Sequence, residues 1–172
     1  MKLVTTPMCE EIVKLAGIKE YTVNKFPSKK DGDLAILLSE SKVDMNSLPI
    51  KINTSTQIFQ SIKLISGLKG NELSDEEILD FFADYRLCRK YLNSSYKRDI
   101  NVKVYSEFLK DIVCDVGFNI VSCDYQYVIF PDYLKDKVKE SENLIEIPSH
   151  NSISKNPLKK AEYRYGILEN LI

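Results

Sequence analysis

A chain of 172 residues with 44% hydrophobic and 28% charged residues carries enough apolar material for a packed core and is no extended disordered chain. Its formal net charge of −1 offers no field for a phosphate backbone, and no dense basic run replaces one, so nucleic acid is excluded as an expected partner. No stretch approaches the roughly 18 apolar residues of a membrane span and the N-terminus lacks a signal-peptide pattern; with Cys9, Cys88, Cys114 and Cys123 forming no CxxC pair, the expectation is a cytoplasmic protein with reduced thiols.

Residues 2–5 read as a strand. Thr6 follows as a helix cap and Pro7 as the first helical residue, where its missing N–H costs nothing. The predicted helix covers 7–16, with Met8, Ile12, Leu15 and Ala16 at helical spacing and Gly17 as its stop. A short strand at 21–24 and a turn-rich surface loop at 26–33 lead to DLAILLS, whose near-continuous apolar run suits a parallel strand covered on both faces. A polar loop over 39–48, a PIKIN strand over 49–53, and a capping cluster at 53–55 then precede a helix carrying Ile58, Ile62 and Ile65 and ending at Gly67.

The middle of the chain has a different pattern. Ser74 and Glu77 form a capping box ahead of Ile78, Phe82, Tyr85 and Leu92, which predicts one helix over 75–92, about 27 Å long. Residues 93–99 are polar and read as a loop.

Beyond that loop the opening pattern returns. Placing Gly17 on Gly117 aligns Val4 with Val104, Thr6 with Ser106, Met8 with Phe108, Ile12 with Ile112, Val13 with Val113 and Ala16 with Val116, without a gap. The second half predicts a VKV strand, a helix over 107–116, a short strand near 119–122, a buried YVIF strand, and one or two helical turns over 134–139. LIEIPSH takes the place of PIKINTS. Asn156 and Pro157 start a closing helix with the stripe Leu158, Ala161, Tyr165, Leu168 and Ile172, in which Gly166 is a weak point and Lys159, Lys160 and Arg164 read as its solvated face. The fold class is therefore α/β, with two duplicated Rossmann-like parallel-sheet lobes joined by a long connecting helix: an N-terminal lobe at 1–70, the connecting helix and loop at 71–99, and a C-terminal lobe with its closing helix at 100–172.

TTPMCEEIVKLAGI, the Asp-led DLAILLS strand and PIKIN, set in two lobes joined by a helix, resemble the substrate-binding proteins of iron–siderophore, metal and vitamin B12 importers, the TroA-like fold, and the related lobes of nitrogenase-like proteins. The chain resembles a trimmed, signal-less version of that plan. The N-terminal motif and VYSEFLKDIV are also similar to a protein family of methanogenic archaea. The first resemblance implies a ligand held in a cleft between the lobes: a tetrapyrrole or corrinoid, a metal complex, or an anionic cofactor.

Ligands of such sheets bind beyond the carboxyl ends of the strands. The candidates there are Thr5, Thr6, Cys9, Ser39, Glu40, Asn53, Thr54 and Ser55 from the first half, and Tyr105, Ser106, Glu107, Pro131, Asp132, Tyr133, Ser149, His150 and Asn151 from the second. Helix capping alone would also select Thr6, Ser106 and the 53–55 cluster. Cys9, in a first helical turn, is a candidate soft metal ligand or nucleophile, opposed by Glu10 and Glu11. His150, the single histidine, is a candidate ligand or acid–base group; with Cys9 and either Asp132 or Glu40 it would make a zinc or iron set. Tyr105, Tyr125, Tyr127 and Tyr133 offer faces for a flat ligand. No P-loop, GxGxxG, HExxH or GxSxG motif is present, and no particular cofactor is specified. Three functions follow: a ligand-binding protein for a small molecule or metal complex, an enzyme of cofactor assembly using Cys9 or His150, and a regulatory module that docks a protein partner.

Overall fold

A computed structural model describes residues 1–150 and 152–172; Asn151 lies outside the described residues. The chain divides into two compact units: Met1–Ile52 with Thr56–Asp84 and Lys155–Pro157, and Asn53–Ser55 with Tyr85–Ser154 and Leu158–Ile172.

The first unit is built on four parallel strands, β1 (Leu3–Thr5), β2 (Thr22–Val23), β3 (Leu34–Leu38) and β4 (Ser47–Ile50), in the order β2-β1-β3-β4. The run that reads as a doubly covered strand is one: Ala35, Ile36 and Leu37 are buried, and β3 pairs Leu34, Ala35 and Ile36 with Leu3, Val4 and Thr5. The second unit repeats the plan with β5 (Asn101–Val104), β6 (Asn119–Ile120), β7 (Tyr127–Pro131) and β8 (Leu144–Ile147), all parallel, in the order β6-β5-β7-β8. The helices in chain order are α1 (Glu10–Leu15), α2 (Ser55–Ser66), α3 (Asp75–Phe81), α4 (Arg86–Tyr91), α5 (Glu107–Asp115) and α6 (Pro157–Glu169). Ile58, Ile62 and Ile65 of α2 are fully buried, as their spacing predicts. Gly17 and Gly117 stop their helices in the left-handed region at φ +77 and +88.

Three elements differ from expectation. α1 starts at Glu10 with Cys9 as its N-cap. Residues 6–9 instead close a turn, Cys9 N–H to the Thr6 carbonyl at 3.0 Å, which a proline in the second position favours. β4 covers 47–50 because the Ala35 N–H takes the Asn46 carbonyl and the Ser39 N–H takes the Ile50 carbonyl, both at 2.9 Å. Its Pro49 is tolerated because β4 is an edge strand.

The long helix over 75–92 is two helices. The capping box at its start forms, with Glu77 N–H to Ser74 Oγ at 3.2 Å and Ser74 N–H to Glu77 Oε2 at 2.8 Å. The last turn of α3 then tightens, with the Phe82 and Ala83 N–H groups reaching the Leu79 and Asp80 carbonyls three residues back. Tyr85 leaves helical geometry at φ −113, ψ 89. α4 starts afresh because the Glu162 carboxylate of α6 accepts the Leu87 N–H at 3.0 Å and the Cys88 N–H at 2.8 Å, satisfying donors that a helix start leaves open.

α6 buries Leu158, Ala161, Tyr165 and Leu168; Ile172 lies past its end and is 53% exposed. The turns predicted over 134–139 form a 3-10 helix, Asp132–Lys137. Among the described residues no helix is long and apolar enough to cross a membrane.

Candidate functional site

In each unit the strand order reverses direction between the first strand and its neighbour, β1/β3 and β5/β7, the place where parallel sheets open a crevice at their carboxyl edge. The two edges differ in what they offer.

At the first unit's edge, Thr5 is fully buried and its hydroxyl donates to the Ile36 carbonyl at 2.9 Å, so it ties two strands together. Thr6 is half-buried, with its carbonyl closing the turn to Cys9. Cys9 is 0% exposed and sits in the core, which removes it from any accessible site. Ser39 and Glu40 stand exposed at the end of β3, joined by a 3.3 Å hydrogen bond.

The second unit's edge is organised around Asp132. Its carboxylate accepts the Ser149 hydroxyl, the Ser149 N–H at 3.2 Å and the Tyr133 N–H at 2.9 Å. Burial works to raise this carboxyl, but the Ser149 and Tyr133 hydrogen bonds prevail and hold it below the usual carboxylate range. The ends of β7 and β8 are thereby locked to each other. Beneath them lies Arg164, only 4% exposed. Its Nε donates to the Pro148 carbonyl at 3.1 Å and its Nη2 to the Ser149 carbonyl at 2.8 Å, while the guanidinium lies 5.0 Å from the Phe108 ring centre. Burial lowers Arg164 to about 10, which leaves it charged at neutral pH. His150 is exposed at this edge; partial burial and the charges of Lys160 and Arg164 lower its pKa against the opposing pull of Asp132. Tyr133, 59% exposed, completes the edge.

Other candidates are engaged elsewhere. The Tyr105 hydroxyl donates to Glu140 at 2.7 Å, Lys103 pairs with the same carboxylate, and Tyr125 reaches it at 3.5 Å. Lys103 and Tyr105 together hold Glu140 down at about 2. Tyr105 and Tyr125, both half-buried, thus have their hydroxyls drawn to one carboxylate. Ser106 is the N-cap of α5 by backbone position, without a side-chain cap hydrogen bond, and Glu107 pairs with Lys110. Asn53 donates to Asp111 at 3.2 Å, Thr54 is buried, and the Ser55 N–H donates to the Tyr165 hydroxyl at 3.0 Å. Pro131 ends β7 and is buried. Among the described residues no three His, Cys, Asp or Glu side chains are grouped to hold a metal ion. Cys9, a member of the zinc or iron set considered from the sequence, has its thiol buried in the core of the first unit.

Open hollows also occur at the opposite edge of the first unit. A cavity of about 530 Å³ is lined by Met1, Leu3, Tyr21, Thr22, Asp33 and Lys69 among others. A second of about 310 Å³ shares Glu20 and Lys69 with it, and those two side chains pair at 3.7 Å. Carboxyl-edge reasoning passes over both, because they lie where the strands begin.

Arg164 is the buried charge at this edge that sequence reasoning missed. It reads as part of a solvated face, yet it lies three residues after Ala161 and next to Tyr165, on the margin of the buried stripe. That position was the available signal. Glu162 and Glu140 carried none, since their partners lie 75 and 37 residues away.

No family model and no curated protein matches the chain. Solved structures do. The periplasmic vitamin B12 binding protein BtuF of Vibrio cholerae aligns at TM-score 0.59 and 11% identity over 98% of this chain and 96% of that chain. A zinc-bound mutant variant of AdcAII from Streptococcus pneumoniae aligns at 0.57 and 10% identity over 99% and 98%. The metal-dependent lipoprotein YcdH from Bacillus subtilis aligns at 0.51 and 12% identity over 95% and 97%. At these identities the likeness is one of fold: two four-stranded parallel sheets with flanking helices, arranged along the chain as in the BtuF-type substrate-binding proteins.

Proposed function

We propose that this chain is a ligand-binding protein that recognises an anionic group of its ligand at the carboxyl edge of the second sheet. The observation that carries this reading is the Arg164 guanidinium, buried to 4% exposure under the ends of β7 and β8, where it donates to the Pro148 and Ser149 backbone carbonyls. A buried cation is costly to hold, and a guanidinium is the cation best suited to meet an anionic group. Asp132 and Ser149 fix the backbone above it, and His150 and Tyr133 supply an imidazole and an aromatic face at the rim. An anionic cofactor fits this chemistry, as does a corrinoid or other tetrapyrrole bearing acidic substituents; the vitamin B12 named for BtuF supports a ligand of that size. A bare metal ion fits less well, because the buried Arg164 guanidinium repels a cation. Four free cysteines suit a reducing compartment and support a cytoplasmic setting.

The test is native mass spectrometry, with an absorption spectrum and metal analysis, on protein purified without added ligand from its own type of cell. A stoichiometric small molecule lost in Arg164→Met and retained in Glu40→Gln is the expected result. A bare chain, or a bound species indifferent to Arg164, would sink the reading.

A further inference from the structure

The connection between β7 and β8 carries a carboxylate into a set of donors drawn from other parts of the second unit. Beyond the 3-10 helix, Lys139, Ser141 and Glu142 are exposed, yet the Glu140 side chain is only 15% exposed. Lys103 and, at 3.5 Å, the Tyr125 hydroxyl donate to its Oε1, and the Tyr105 hydroxyl donates to its Oε2 at 2.7 Å. Lys103 Nζ lies 5.2 Å from the Tyr105 ring centre and 5.6 Å from that of Tyr125. One cation and two phenols thus meet both oxygens of one planar group.

The first unit covers the same place differently. β3 pairs with β4 from Ala35 opposite Ser47, and β7 with β8 from Val128 opposite Leu144. On the other side Ala35 faces Val4 and Val128 faces Lys103. The sheet register, one residue off the glycine alignment, therefore puts Lys103 where the first unit has Val4. There Val43 and Met45, from the connection between β3 and β4, pack on Val4, Ala35 and Leu37. An apolar cover stabilises as well as an ion pair or better, so stability alone does not call for the charged one. Among the described residues of 139–142, Glu140 alone engages other side chains. Lys103 and Tyr105 hold its carboxyl at about 2, which keeps it ionised at neutral pH; a competing acid, not a proton, would release it.

We propose that Lys103, Tyr105 and Tyr125 form a binding site for the carboxylate of a small monocarboxylic acid, occupied in the free protein by Glu140 on a displaceable strap, 138–143. The donors are divided between two coplanar oxygens, as a carboxylate requires, and one cation balances one negative charge, where a phosphate would bring more. Val128, beside Lys103 in the ladder, and Phe130, two residues on, share this face and are buried, so the body of the acid is apolar. The resident carboxylate competes, and binding to the unaltered chain is weakened by the fraction of time that the strap is closed. The site uses none of the residues placed at the Arg164 edge and is independent of the function proposed above.

The probe is 4-fluorobenzoate, followed by the broadening of its fluorine resonance, with neutral 4-fluorobenzamide as control. Glu140→Ala should bind the acid at least about tenfold more tightly than the unaltered chain, the gain expected when the open state was populated to about one-tenth or less. Glu140→Gln, which keeps the length of the side chain and removes its charge, should shift in the same direction. Lys103→Gln added to either variant should abolish binding, and the amide should bind none of them, with circular dichroism unchanged throughout. In the unaltered chain saturating acid should speed cleavage after Lys139 by a lysine-specific protease, whereas in Glu140→Ala that cleavage should be fast with or without acid. Absence of binding to both Glu140 variants, affinity equal to that of the unaltered chain, or binding that survives Lys103→Gln would overturn the proposal. So would equal binding of the amide, or cleavage after Lys139 unmoved by saturating acid.

Discussion

Asp132 and Ser149, 17 residues apart, form a two-point clamp in which one carboxylate takes both the hydroxyl and the backbone N–H of the same serine. Because these bonds favour the charged carboxylate, its folded pKa lies below the ordinary value near 4. A group of this kind contributes stability that is fully present above its unfolded pKa and is lost as pH falls through the folded pKa. Thermal unfolding followed from about pH 7 to about pH 2 should therefore show the midpoint dropping on the acid side. Asp132→Asn should flatten that limb and lower the midpoint at neutral pH. An acid limb identical in the variant would show that the clamp is not the titrating element.

The two helix-stopping glycines separate conformational strain from steric clash. Gly17 has φ +77 and nothing within 4 Å of an added Cβ, whereas at Gly117, φ +88, a Cβ would meet the Tyr96 carbonyl oxygen at 2.5 Å. Gly17→Ala should cost about 1 kcal/mol, the left-handed penalty alone. Gly117→Ala should cost about 3 kcal/mol or more, because the backbone at Tyr96 must move as well. Denaturant titration of both variants checks the ordering, and equal losses would contradict it.

What the sequence made legible were features whose cause is local. Apolar runs announced β3 and β7, the glycines marked the ends of α1 and α5, and Ser74 with Glu77 marked the start of α3. The duplication was legible because both sheets use the same strand order. What stayed hidden depends on partners far along the chain. Tyr85 to Leu87 contains no cap signal, so the break between α3 and α4 could be seen only once Glu162 was in place. Tyr105 sits where an edge residue should, but its hydroxyl is taken by Glu140, 35 residues further along the chain. Arg164 is buried because of its place on the margin of the buried stripe of α6, which residue type alone concealed.

The tertiary cap at α4 predicts a sharp dependence on one carboxylate. Glu162→Ala leaves the Leu87 and Cys88 N–H groups without their acceptor at the start of a helix of six residues. A loss of about 1–2 kcal/mol is expected, comparable to removal of a strong N-cap. Glu162→Gln keeps one amide oxygen and should lose less. Chemical unfolding of the pair tests this, with hydrogen exchange at Leu87 and Cys88 as the local readout. Unchanged protection in Glu162→Ala would mean that α4 is held by packing alone.

The four cysteines should divide cleanly by reactivity. Cys9 and Cys88 are 0% exposed, and burial pushes the Cys88 thiol up to about 12, far from the thiolate form that attacks. Its Sγ is further occupied in a 3.4 Å contact to the Leu158 carbonyl. Cys114 and Cys123 are exposed, but partial burial, with Asp111 and Asp115 adding to it, raises Cys114. A disulfide reagent such as dithionitrobenzoate should therefore modify Cys123 first and Cys114 more slowly in the native protein, with the remaining two thiols reacting only as the chain unfolds. Because modification of the buried pair then requires opening of the units that hold them, its rate should follow the population of the unfolded state across a denaturant series. Prompt native modification of Cys9 would reverse its assignment to the core and restore it as an accessible thiol beside the first sheet's carboxyl edge.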